Sequence, residues 1–92
     1  MLIKYRVHAL KRMAARNIPA AAVESVIANG TTIENYPTAK PLSARLILGS
    51  VGGRVLHVVV GEDVVGQTIQ VVTVYEPDLT HWEPDFKTRR KP

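Results

Sequence analysis

The chain has 92 residues, 46% of them apolar, which allows one domain with a real core, leaves no room for two, and argues against wholesale disorder. It has no cysteine, which removes disulfides, thiolate metal sites and thiol nucleophiles and fits a reducing cytoplasm. Its net charge of +4 is uneven: residues 1–16 carry five cations and no acid, residues 87–92 carry four cations and no acid, and the middle sets eight acids against Lys40, Arg45 and Arg54. Cations gathered at both ends suit a polyanion-binding face, although a wet helix and a frayed basic tail would have the same composition.

No stretch approaches the roughly 20 apolar residues of a membrane span. Lys4, Arg6, Lys11, Arg12 and Arg16 interrupt the start, so no secretory signal is read there. A soluble cytoplasmic protein is expected.

Val7, Leu10, Met13 and Ala14 recur at helical spacing and predict a buried stripe on a helix from about Lys4 or Tyr5 to Arg16. His8, Lys11, Arg12, Ala15 and Arg16 fill its opposite arc, and Asn17 breaks it. Pro19 suits the first turn of a second helix, whose buried stripe is Ala22, Val23, Val26 and Ile27. Asn29-Gly30 stops that helix, with glycine expected in the left-handed position after it.

Everything after Gly30 reads as strand. Thr31–Tyr36 is rich in β-branched residues and closed by Pro37. Ala44–Ser50 and Arg54–Val60 flank Val51-Gly52-Gly53, a hairpin signal. Gly61-Glu62-Asp63 with Gly66 marks the next turn, and Gln67–Tyr75 is apolar enough to be expected at the centre of the sheet. Glu76-Pro77-Asp78 ends it, after which Trp82 and Phe86 are expected to pack back before the basic end, residues 87–92, leaves the body. The expected fold is therefore α+β: two N-terminal helices on one face of a three- to four-stranded antiparallel sheet, with the other face partly open.

Three groups of residues could carry chemistry. His8, Arg12 and Arg16 follow one another at four-residue steps, pairing a group that exchanges protons near neutrality with guanidiniums that match phosphate oxygens. The plainer reading is a solvated helix face. His57 sits in an apolar strand, either hydrogen-bonded within the structure or facing the open groove. Tyr75 closes the long strand, where its hydroxyl could serve a phosphate ester or simply cap the core. Lys11, Arg45 and Arg54 could add positive potential for a substrate. His81 is the least promising histidine. The three histidines show no metal-ligand spacing, so no metal or other cofactor is expected, and no glycine-rich phosphate loop follows a strand.

Taken in order, H-A-x-x-R-M-x-x-R-x-I at His8–Ile18, I-E-x-Y-P at Ile33–Pro37, S-x-x-L-x-L-G at Ser43–Gly49, G-R-x-L-H-V-V-V at Gly53–Val60, T-V-Y-E-P-D at Thr73–Asp78 and the closing W-x-x-D-F form one pattern. It resembles the bacterial family called domain of unknown function 4258, with Ala15 departing from a position where that family tends toward charge. The family is similar to the RelE/ParE superfamily. That resemblance implies helices packed on an antiparallel sheet, a toxin role, and a cognate antitoxin, for this family often a small zinc-finger protein. It carries over His8, Arg12, Arg16 and His57, with Tyr75 behind them.

Two functions follow as expectations. One is a metal-independent endoribonuclease, acting on free or ribosome-bound RNA, in which His8 and His57 serve as base and acid, Arg12 and Arg16 stabilise phosphorane charge, and Tyr75 assists. The other is a module of the same fold that binds RNA, ribosome or protein and cleaves nothing.

Overall fold

A computed structural model describes residues 2–91. The elements in chain order are β1 (Leu2–Tyr5), α1 (Val7–Arg16), α2 (Ala20–Asn29), β2 (Thr31–Tyr36), β3 (Ala44–Val51), β4 (Arg54–Asp63) and β5 (Thr68–Tyr75). The sheet has five strands in the order β1-β5-β4-β3-β2, with β1 parallel to β5 and every other pair antiparallel. The α+β class stands, but the expected three- to four-stranded antiparallel sheet does not. A fifth strand makes the sheet mixed.

That strand is built from residues assigned above to the start of the first helix. Leu2 and Lys4 are exposed while Ile3 and Tyr5 are half-buried, a period of two carried by only four residues. Backbone pairing decides the matter: Leu2 N–H donates to Gln67 O at 3.1 Å and Arg6 N–H donates to Val71 O at 3.0 Å. Arg6 is extended, and the helix begins only after it.

The helices lie on one face, over Ile47, Leu56, Val58, Val60, Ile69, Val71 and Val74. α2 buries Ala22, Val23 and Val26 as its periodicity predicts. α1 does not bury its expected stripe. Ala9 and Met13 face the core, whereas Val7 is 67% and Leu10 49% exposed. The small Ala9 side chain lets α1 settle against β5 near the sheet edge, so a narrow arc is covered and the larger residues beside it stay wet.

The helix ends are also distributed differently. Asn17 takes the left-handed conformation after α1 (φ 52), and Ile18 N–H donates to Met13 O at 2.9 Å across it. Gly30 does not, at φ −77 and ψ 178. Its lack of a side chain serves packing: a Cβ there would stand 2.5 Å from Val26 O and 2.6 Å from Leu48 O.

β4, not β5, is the central strand, because β1 occupies the far side of β5. β4 also continues through Gly61 to Asp63, with the turn at residues 64–67. Beyond β5 the chain folds across the face opposite the helices. Trp82 is 3% exposed, a bridge joins it to Arg89, and Arg90 N–H donates to His81 O at 2.9 Å. The basic end therefore stays on the body as far as Arg90; Pro92 lies outside the described residues. No helix among the described residues is long and apolar enough to cross a membrane.

Candidate functional site

Alternation along β4 and β5 determines what the second face presents. Leu56, Val58 and Val74 point to the helices, so His57 and Tyr75, opposite each other in the register, point away from them. His57 is 0% exposed. Its Nε2 lies 2.8 Å from Phe86 O and its Nδ1 lies 3.1 Å from the Tyr75 hydroxyl. A carbonyl can only accept, so Nε2 carries the proton, and the Nδ1 of a neutral ring accepts from Tyr75. Burial favours that neutral ring and pushes the His57 pKa below its ordinary value, with the Phe86 carbonyl opposing. Burial likewise raises Tyr75 and keeps its phenol protonated.

The tail seals this pair. Trp82 meets the imidazole edge-on, its ring centroid 4.5 Å away at an interplanar angle of 90°. Arg89 also lies over the indole, 4.6 Å from the centroid, and donates two hydrogen bonds to Glu34, at 2.8 and 2.9 Å. Tyr36 also donates to Glu34. Arg89, helped by Tyr36, holds the Glu34 carboxyl below the usual carboxylate range against the cost of burial. Phe86 itself is left-handed at φ 55, a conformation bulky residues rarely adopt, and its carbonyl meets the His57 ring.

Beside this assembly, between α1 and the tail, lies a cleft of about 650 Å³. Arg12 and Arg16 form one wall, Tyr75 and Glu76 the strand end, and Asp78, His81, Trp82 and Arg89 the tail side. Its acids are occupied. Glu76 pairs with Arg54 at 3.1 Å, and Asp78 accepts from the backbone of Thr80 and His81 and holds the His81 ring at 2.9 Å. The His81 hydrogen bond chiefly depresses the Asp78 carboxyl. Arg12 and Arg16 have no acid partner among the described residues. The cleft thus offers two guanidiniums without an acid partner among the described residues, and a tyrosine at the strand end.

Of the residues singled out in the sequence, the fold brings Arg12, Arg16 and Tyr75 together on that wall. His57 stands behind Tyr75 and does not line the cleft. His8, one turn before Arg12, is exposed at the side, its Nε2 3.1 Å from Thr73 Oγ1. Lys11 is exposed on α1 and lines no part of it. Arg54 caps α1 by donating to Arg16 O and Asn17 O at 2.8 Å each. Arg45 lies apart from the cleft, bonded to Glu62 and Thr32.

The sequence reading missed Arg89, Trp82 and His81 as wall residues. The three-residue spacing of Asp78 and His81, an Asx-turn signature, was the one local signal available. Among the described residues no cluster of three or more His, Cys, Asp or Glu converges as a metal ion would require.

No curated protein and no solved structure matches the chain. A family model described as Domain of unknown function (DUF4258) matches residues 5–76, from the last residue of β1 to the residue after β5, and the chain belongs to that family.

Proposed function

We propose that the protein is a metal-independent endoribonuclease of the RelE/ParE-like type, the toxin of a toxin–antitoxin pair, and that the cleft beside α1 holds the scissile phosphate. The observation that carries this reading is the meeting of unpaired Arg12 and Arg16 with Tyr75 in one cleft. Guanidiniums present planar forks of donors to phosphate oxygens and stabilise the charge that builds on them during in-line attack. The attacking ribose 2′-hydroxyl gives its proton to the Tyr75 oxygen as the phenolic proton leaves that oxygen, the new bond forms to phosphorus, the bond to the 5′-oxygen breaks, and His81 supplies a proton to that oxygen. The products are a 2′,3′-cyclic phosphate and a 5′-hydroxyl. His8, held at Thr73 two residues before Tyr75, steadies the strand end. The implied partner is an antitoxin, of the small zinc-finger kind that the family resemblance suggests.

Incubation with RNA in EDTA, with and without ribosomes, tests this. Cleavage with cyclic phosphate ends is expected, and Arg12→Ala should lower it by ~10² to 10³ fold without lowering the melting temperature. One observation favours the non-catalytic alternative, namely that His57 is sealed with both ring nitrogens bonded. RNA left intact in both arms, but bound with a steep salt dependence, would replace the nuclease with that binding module.

A further inference from the structure

His57 is the one buried titratable side chain that the scheme above does not use, and it is joined to the cleft through a single hydrogen bond. We propose that His57 and Tyr75 form a proton relay, in which Tyr75 alone touches the substrate and His57 receives the phenolic proton from behind. The inference rests on the nuclease reading and adds a positioning and proton-accepting residue to it.

The argument starts from base strength. A neutral phenol is a weak base, because accepting a proton without losing one leaves a positive oxygen. Tyr75 escapes this if its own proton departs as the new one arrives. The geometry provides the acceptor: Phe86 O fixes the proton on Nε2, so Nδ1 presents its lone pair to the Tyr75 hydroxyl at 3.1 Å. The 2′-hydroxyl proton moves to Tyr75 Oη, the original Oη proton moves to His57 Nδ1, and the alkoxide oxygen bonds to phosphorus. The relay leaves a neutral tyrosine and an imidazolium. Tyr75 thereby acts with the basicity of an imidazole while the imidazole stays dry.

Burial opposes that charge most strongly, and two neighbours favour it. Phe86 O continues to accept from Nε2. From β2, Glu34 favours the imidazolium, and Tyr36 is bonded to that same carboxylate. From the tail, Arg89 opposes it, and Arg89 is itself paired to Glu34. Trp82 supplies an apolar edge. A neutral resting ring with an accessible charged state is what a relay requires.

His57→Asn separates the relay from mere positioning, since an amide oxygen can accept from Tyr75 but cannot take up its proton. With the relay, kcat for RNA cleavage falls ~10² fold or more in both His57→Asn and Tyr75→Phe, with KM unchanged and the imidazole-dependent limb of the pH profile abolished. Cleavage by His57→Asn at the wild-type rate overturns the relay and leaves His57 a structural residue. If His57→Asn does not fold, the tautomer of the wild-type ring decides, because Tyr75→Phe loses activity with or without the relay. Nitrogen-15 spectra of the wild-type imidazole give a check independent of RNA: protonated Nε2 and bare Nδ1 are expected at neutral pH, and the opposite tautomer overturns the relay. Wild-type protein that leaves RNA intact overturns the nuclease reading and the relay with it, whereas active wild type with an equally active His57→Asn overturns the relay alone.

Discussion

Trp82→Ala tests how the tail is held on the sheet. The indole is 3% exposed between His57 and Arg89. An aromatic of this size buries roughly 150–250 Å². At ~25 cal/mol per Å² that amounts to about 4–6 kcal/mol, an upper bound because unfolded chains already cover part of their apolar surface. Buried Trp→Ala changes typically cost ~3–5 kcal/mol. The tail is also held by the His57 Nε2 hydrogen bond to Phe86 O, which contributes about 1 kcal/mol, and by Arg89 to Glu34, whose side chains are 57% and 23% exposed and whose screened pair contributes about 1 kcal/mol at most. Trp82 therefore dominates, and its loss should release residues 77–91 while the sheet and helices stay folded. In hydrogen exchange, the amides of Phe86 and Arg90, bonded to Glu83 O and His81 O, should lose protection. Val58 and Val71 in the core should keep theirs. Urea unfolding followed by circular dichroism should fall by no more than about 3–5 kcal/mol. Protected tail amides together with a loss below about 1 kcal/mol would refute the reasoning, since the indole would then contribute little to docking.

Gly30→Ala should destabilise the protein by more than the ~1 kcal/mol that separates these residues in propensity, because its Cβ meets two carbonyl oxygens inside 2.7 Å; urea unfolding measures it, and a neutral result would mean that α2 can shift away from β3. Stability should decline as the solution is acidified. The native His57 pKa lies below its ordinary ~6.5, so between that value and the native one the unfolded chain binds a proton that the folded chain refuses. Below the native value this loss levels off. Glu34, depressed by Arg89, adds stability that is present above the ordinary carboxylate pKa and lost as pH falls through its native value. Denaturant midpoints at several pH values check both, and His57→Gln should flatten the segment just below neutrality while leaving the more acidic one.

The elements that could be read in the sequence are those whose pattern runs long enough to be periodic. β2 falls where its pattern placed it, α2 does so except that Pro19, expected in its first turn, is the extended residue before it, and β3 extends one residue beyond its expected end. β1 could not be distinguished, because four residues of alternation merge into the apolar spacing of the helix that follows. Its effect is not local: by pairing with β5 it makes the sheet mixed and moves β5 off centre. The exposed Val7 and Leu10 follow from the same cause. Periodicity identifies an amphipathic arc, but the width of the arc covered depends on how close the helix lies to a sheet edge.

The candidate site divides in the same way. Arg12 and Arg16 belong to a helical stripe and Tyr75 to a strand end, so their types and spacing were visible, and parallel packing of α1 along β5 supplied their meeting. The tail is aperiodic, and nothing in its composition distinguishes a frayed basic end from one pinned by Trp82 and Arg89. Yet the tail decides the chemistry available to His57. Without it the imidazole would be a wet group on an open sheet, free to titrate near its ordinary value and to meet a substrate directly. Under Trp82, and bonded to Phe86 O, it is confined to one tautomer and one outlet, the Tyr75 hydroxyl. Any chemistry proposed for this histidine thus runs through its neighbour, because a segment some 30 residues downstream covers the rest of the ring.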